Sequence, residues 1–185
     1  MNIDREKLDR LTLQLKDKSL REQAFSGIVE MLSKPIYWHI RKMVLSHEDA
    51  DDLLQNTFLK AWQAIDSFRG DSQIHTWLYK IASNETLTFL AQQRMKNTTS
   101  SLEMEELLLN NLRADSYFDG DELQRRLQEA ILTLPEKQRL VFNMRYYGNM
   151  PYEEMAAICN NSVGALKASY HHAVKKIEAI FKEED

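Results

Sequence analysis

Glycine and proline are scarce in this sequence, five and three among 185 residues. That scarcity argues against a turn-rich β-sandwich, and no run alternates apolar and polar residues as a half-buried strand does. A single cysteine, Cys159, excludes an internal disulfide and fits a reducing compartment. Its setting, at a helix end beside small apolar residues, reads as a small buried hydrophobe rather than a nucleophile. No apolar run is long enough to span a membrane and no signal peptide is evident, so the expectation is a cytoplasmic chain without membrane insertion. Also missing are a phosphate-cradling glycine loop, a paired-histidine metal motif and a nucleophile elbow. His171 and His172 are adjacent, so their rings diverge on a helix and make a poor metal site. The expectation is a protein that is no enzyme, with no cofactor and no metal.

What remains is rich in helix formers, and 43% of it is hydrophobic, enough for real cores. The chain reads as all-α: two small helical domains joined by an acidic linker, the C-terminal one ending in a helix-turn-helix. Charge distribution divides it more clearly than the net −4 does. Residues 1–97 carry 14 basic and 13 acidic side chains, residues 98–120 one basic and five acidic, and residues 121–185 nine basic and ten acidic. The boundaries follow: a first domain at 1–97, an acidic flexible linker at 98–120 and a second domain at 121–185.

Helical periodicity supplies the elements. Leu8, Leu11 and Leu15 mark a short first helix. Ala24, Phe25, Ile28 and Leu32 mark a second, which Pro35 breaks or restarts. Ile36, Ile40 and Val44 mark a third piece. In ADDLLQNTFLKAWQAI, acids crowd the first turns as the helix dipole favours. Its stripe is Leu54, Phe58, Ala61, Trp62 and Ile65, with Leu53 and Leu59 outside it. A helix apolar over so much of its girth is packed on more than one side. It is either a central core helix or a partner surface built on Asp52 and Gln55, and the sequence leaves both open. A loop marked by Gly70 follows. From Ser72 to Leu102 the only acid is Glu85, and His75, Trp77 and Tyr79 interleave with Lys80, Arg94 and Lys96. Aromatic rings beside cations suit stacking on single-stranded bases; packing of the bundle by Trp77 and Leu78 is the plainer alternative. Leu123, Leu127, Ala130 and Ile131 point inward from the next helix. Thr133-Leu134-Pro135-Glu136 resembles a capping box opening another, which ends at Gly148.

The last stretch, PYEEMAAICNNSVGALKASYHHAVKKIEAIF, reads as two helices around a tight turn. Pro151 suits the entry to the first. Asn160 and Asn161 tolerate left-handed backbone, and Ser162 caps the second helix. Val163, Leu166, Tyr170, Ala173, Val174 and Ile177 share one face of that helix. Gly164, Ala168, His171, His172 and Lys175 lie opposite, with Lys167 on the flank. No acidic residue occurs from Met155 to Ile177. Small residues and cations on such a helix fit the major groove of DNA, where the backbone comes close to base edges and the cations meet phosphates; a solvated amphipathic helix in an all-helical domain is the plainer alternative.

Two stretches match one family in order and spacing. DADDLLQNTFLKAW followed by FRGDSQIHTWLYKIASN resembles the core-binding and −10-binding region of the extracytoplasmic-function sigma factors. LPEKQRLVFNMRYYGNMPYEEMAAICNNSVGALKASYHHAVKKI resembles their −35-binding region. The resemblance implies a promoter-specificity subunit that binds core RNA polymerase and promoter DNA. It implies that Asp51, Asp52, Gln55, Asn56, Phe58 and Trp62 hold the clamp helices of the largest polymerase subunit. The loop Gly70, Asp71, Ser72 and Gln73 would capture a flipped −10 base, supported by Trp77, Tyr79, Lys80 and Asn84. The last domain would meet the flap of the second-largest subunit and read the −35 element with Ser162, Gly164, Lys167, Ala168, Ser169, His171, His172 and Lys175. Within that set Lys167, Ala168 and His171 would face base edges, and Ser169, His172 and Lys175 phosphates. An anti-sigma factor is a further implied partner. A two-domain repressor accounts for the C-terminal block but not for the first motif. A helical adaptor accounts for the helices but not for the acid-free face.

Overall fold

A computed structural model of the chain describes residues 4–96, 108–112 and 122–183. All of its regular elements among these residues are helical. The element α1 is Arg5–Gln14, α2 is Arg21–Val44, α3 is His47–Gln63 and α4 is Ile74–Lys96. Residues 108–112 are helical and are labelled α5. Then follow α6 Glu122–Leu132, α7 Glu136–Tyr146, α8 Tyr152–Cys159 and α9 Val163–Glu183.

Caps define several of the starts. Asp4 accepts from the backbone of Lys7 at 3.0 Å to open α1, and Ser46 Oγ accepts from Asp49 at 3.2 Å to open α3. The capping box expected at α7 does not form. Pro135 is the N-cap and lacks a side chain that can accept, while Thr133 Oγ1 donates back to the carbonyl of Ala130. Glu136, the other half of that box, pairs instead with Arg94 of α4 at 3.1 Å.

Pro35 neither breaks nor restarts its helix; α2 runs through it. Ile28, Leu32, Ile36, Ile40 and Met43 form one seam, each fully buried, on both sides of the proline. Full burial of such side chains contributes roughly 1.5–3 kcal/mol each, enough to offset the cost of about 3 kcal/mol for an interior proline. Three helices, α1, α3 and α4, all pack against α2. The approach of α1 is close: a Cβ on Gly27 would lie 3.1 Å from Leu11 Cδ1.

Two further expectations are corrected. The buried face of α3 is Ala50, Leu53, Thr57, Phe58 and Ala61, so Leu53 turns inward while Trp62 is 37% exposed. The apolar residues of α3 span too wide an arc for periodicity to select its centre, and contact with α2 and α4 selects it. On α6, Leu123 is 60% exposed because only the later turns, with Ala130 and Ile131, meet α9.

In the C-terminal half, Ala130, Ile131, Leu134, Phe142, Ala173 and Ile177 close a small core under α6, α7 and α9. A second apolar set, Met144, Met150, Met155, Ile158 and Leu166, is continuous with the core of the N-terminal half. The halves are packed on one another, with α8 on α4 and α7 on α2. Leu108 and Leu112 of α5 are buried with Leu45, at the end of α2, and Leu132, at the end of α6. The rest of the segment read as a linker, residues 98–107 and 113–120, lies outside the described residues.

Candidate nucleic-acid interface

The turn between α8 and α9 is built as its residue types predict. Asn160 adopts the left-handed conformation, φ 50°, with its N–H bonded to the carbonyl of Ala156. Asn161 Oδ1 accepts from the N–H of Ser162 at 2.8 Å, and Ser162 Oγ accepts from the N–H of Ala165 at 3.2 Å. This double cap sets the direction in which α9 leaves. Leu166, Ala173 and Ile177 are buried, and Gly164, Lys167, Ala168, His171, His172 and Lys175 are exposed. Ser169 is half-buried at the edge of that face, and its carbonyl accepts from Gln138 at 3.5 Å. Nothing lies within 4 Å of a Cβ placed on Gly164, so the first turn of α9 has open space in front of it. Two cations flank the ring of Tyr152 at the start of α8: Lys167 Nζ at 5.6 Å and Arg145 Cζ at 5.2 Å from its centroid.

The loop before α4 carries its glycine for a conformational reason, since Gly70 has φ +82°. Gly70, Asp71 and Gln73 are exposed and Ser72 is half-buried. The loop borders a cleft of about 680 Å³ that Arg21 and Thr12 also line. Trp77 stands behind the loop with its ring 5.1 Å from Phe68. Lys80 is half-buried and Asn84 exposed. Tyr79 differs from the expected strand-facing role: it is 4% exposed, with its ring 5.0 Å from His39. Burial first, and then the negative charge of Glu154, push its phenol up. His75, one turn earlier, is buried as well, with Nε2 2.9 Å from Glu154 Oε1 of α8. In this arrangement α8 covers the face of α4 on which these two residues lie.

On α3 the outward residues include Asp52, Gln55, Asn56, Leu59 and Trp62, with Asp51 half-exposed and 3.3 Å from His47 Nε2. Phe58 does not join them; it is 9% exposed and lies edge-on to Phe25 at 6.4 Å. Trp62 rests on the same Phe25 at 5.1 Å. Leu59, 57% exposed, is an apolar group on this surface that the resemblance does not single out, although its place outside the apolar stripe was the signal.

Neither half alone indicates the seam between them. There Lys42 Nζ lies between Trp38, at 5.2 Å, and Tyr147, at 5.0 Å, and burial lowers its pKa. His39 Nε2 meets Ser83 Oγ at 2.9 Å, and desolvation, with Lys42 nearby, lowers its pKa to about 4. Cys159 is half-buried and burial pushes its thiol up to about 11, as suits a packing role. Among the described residues no group of three or more His, Cys, Asp and Glu converges as a metal site needs.

Comparison with known proteins brings these surfaces together. The family model for Sigma-70 region 2 matches residues 28–95, and that for Sigma-70 region 4 matches residues 124–177. The chain is 32% identical over 138 residues to the ECF RNA polymerase sigma-E factor of Escherichia coli strain K12, covering 70% of this chain and 72% of the relative. It is 27% identical over 158 residues to the ECF RNA polymerase sigma factor SigW of Bacillus subtilis, covering 81% and 84%. Among solved structures, CnrH in complex with the cytosolic domain of CnrY shares the fold at a TM-score of 0.67 and 22% identity, over the whole of both chains. RpoE of Bartonella quintana, solved with the anti-sigma factor NepR, does so at 0.65 and 21%, over 85% of this chain and 96% of that one.

Proposed function

The chain belongs to the extracytoplasmic-function RNA polymerase sigma factors, and from that premise we propose that it divides promoter-directed initiation among the three surfaces just described. As a member of the family it binds core RNA polymerase and promoter DNA, recognises −35 and −10 elements and helps to melt the −10 region. In this reading region 2 spans 1–97, the linker 98–120 and region 4 121–185. The protein acts in the cytoplasm beside the polymerase and has no enzymatic chemistry of its own. No helix among the described residues is long and apolar enough to cross a membrane.

The outward face of α3 takes the clamp helices of the largest polymerase subunit. Asp51, Asp52, Gln55 and Asn56 supply polar contacts, Trp62 and Leu59 supply apolar area, and Phe58 supports Trp62 through Phe25. The loop Gly70–Gln73 accepts a flipped −10 base. Trp77 stiffens that loop from behind, while Lys80 and Asn84 follow the strand. Tyr79 joins them once α8 has left α4. Region 4 meets the flap of the second-largest subunit and reads the −35 element with α9. Lys167, Ala168 and His171 face base edges, and Ser169, His172 and Lys175 face phosphates. Ser162 and Gly164 shape the entry of the helix. An anti-sigma factor is a further partner.

One observation carries this reading. Lys167, Lys175 and the small residues Gly164 and Ala168 of α9 are exposed, with open space before Gly164, while Leu166, Ala173 and Ile177 of the same helix are buried. Phosphate contacts position a recognition helix, and base contacts give it specificity. The test is run-off transcription with core polymerase over a library of genomic fragments. Addition of the protein is expected to yield discrete start sites that share two spaced elements. Transcripts identical to those of core polymerase alone would remove the assignment.

A further inference from the structure

Tyr152 is the first residue of α8 and half-buried, so its ring is held by packing while one part of it stays in solvent. Lys167 Nζ lies 5.6 Å from the ring centroid and Arg145 Cζ 5.2 Å. Arg145 is fixed independently, because its Nη1 donates to the carbonyl of Met150 at 3.1 Å. Lys167 makes no ion pair among the described residues, and no acid occurs in the chain from Met155 to Ile177. The electron-rich ring face is therefore the feature that directs this flexible side chain.

We propose that Tyr152 is a positioning residue for base recognition: its ring holds the Lys167 ammonium over the first turns of α9, aimed at one base edge rather than at neighbouring phosphates. The inference rests on the reading of α9 as the −35 recognition helix. A lysine is a point charge on a long flexible stem, and unaided it chooses poorly between a base acceptor and a phosphate oxygen. A ring that limits its rotamers lowers the entropy lost on binding in one direction only. Arg145 is held against the same ring, 5.2 Å from its centroid, so the ring is fixed by a second contact besides Lys167.

The test measures binding of the full chain to duplexes carrying the −35 element found by run-off transcription, with each base pair changed in turn. Lys167→Ala is expected to flatten preference at one step by roughly tenfold. Tyr152→Leu should flatten preference at that same step by several-fold, and Tyr152→Phe, which keeps the ring, should stay within about twofold of the parent. The Tyr152→Leu/Lys167→Ala pair should be no worse at that step than Lys167→Ala alone. Equal loss by Tyr152→Leu on every duplex, unchanged preference, or additive losses in the pair each overturn the proposal while leaving the −35 reading intact. Unchanged preference in Lys167→Ala overturns the base-reading role of Lys167, and the proposal with it. Should Tyr152→Leu fail to fold, the ε-methylene protons of Lys167 decide by NMR. An upfield ring-current shift in the parent and in Tyr152→Phe supports the contact, and random-coil positions overturn it.

Discussion

Nε2 of His75 on α4 lies 2.9 Å from Oε1 of Glu154 on α8, and both side chains are largely closed to solvent. The pair joins the start of α4 to the start of α8. A second bridge, Arg94 to Glu136, joins the far end of α4 to α7. Arg5 lines the same small cavity as His75 and Glu154, and Tyr79 adjoins Glu154. The two halves are thus linked through two acids, Glu154 and Glu136, each set beside a basic residue of the other half.

Reversing both acids, Glu136→Lys with Glu154→Lys, is expected to open the chain. A compact chain of this length has a radius of gyration of about 16 Å. Small-angle scattering should give that value for the parent and a value several ångströms larger for the double variant. An unchanged curve would mean that the apolar contacts of α8 on α4 hold the halves together without the ion pairs.

His39 makes stability depend on acid. Its pKa falls from the usual 6.5 to about 4, chiefly by desolvation. The folded form therefore binds a proton less readily than the unfolded chain. Its contribution is fully present above pH 6.5 and is lost as pH falls toward 4, by about 3 kcal/mol in all. Denaturant melts between pH 7 and 5, above the range where carboxylates titrate, should show this slope. In His39→Gln the slope in that window should largely vanish.

Pro35→Ala is expected to stabilise the protein by about 1–3 kcal/mol. It restores an N–H within a helix that is continuous in any case, and the gain is reduced by the greater freedom of the unfolded chain. A rise in the urea midpoint at constant slope would show it. A fall would mean that the packing of the proline ring outweighs the missing hydrogen bond.

Replacing Asp52 and Gln55 together by Ala should weaken binding to core polymerase by about tenfold or more, since both are exposed on one face of α3. Stability should change by no more than about 0.5 kcal/mol. A large fall in melting temperature with polymerase binding intact would make α3 a purely structural helix.

Local chemistry was enough to read the helix-turn-helix. The left-handed Asn160, the Ser162 cap and the division of α9 into a buried and an exposed face depend on residues within a few positions of one another. Periodicity states such relations directly. The same holds for the acids at the start of α3 and for the glycine at the turn before α4. Other features depended on what lies opposite. Periodicity tells which residues share a face, but not what covers that face. Thus α3 buries Leu53 and leaves Trp62 partly open because α2 and α4 choose the side. Pro35 sits inside a helix because a buried seam outweighs a local penalty. On α4 no single stripe stands out, since α2 and α3 pack on it from the N-terminal half and α8 and α7 from the C-terminal half. The burial of His75 and Tyr79 follows from that second set of contacts, between residues far apart in the chain. Whether those side chains face a nucleic-acid strand or another helix is settled only by how the two halves pack, through long-range burial and charge pairing that no local pattern encodes.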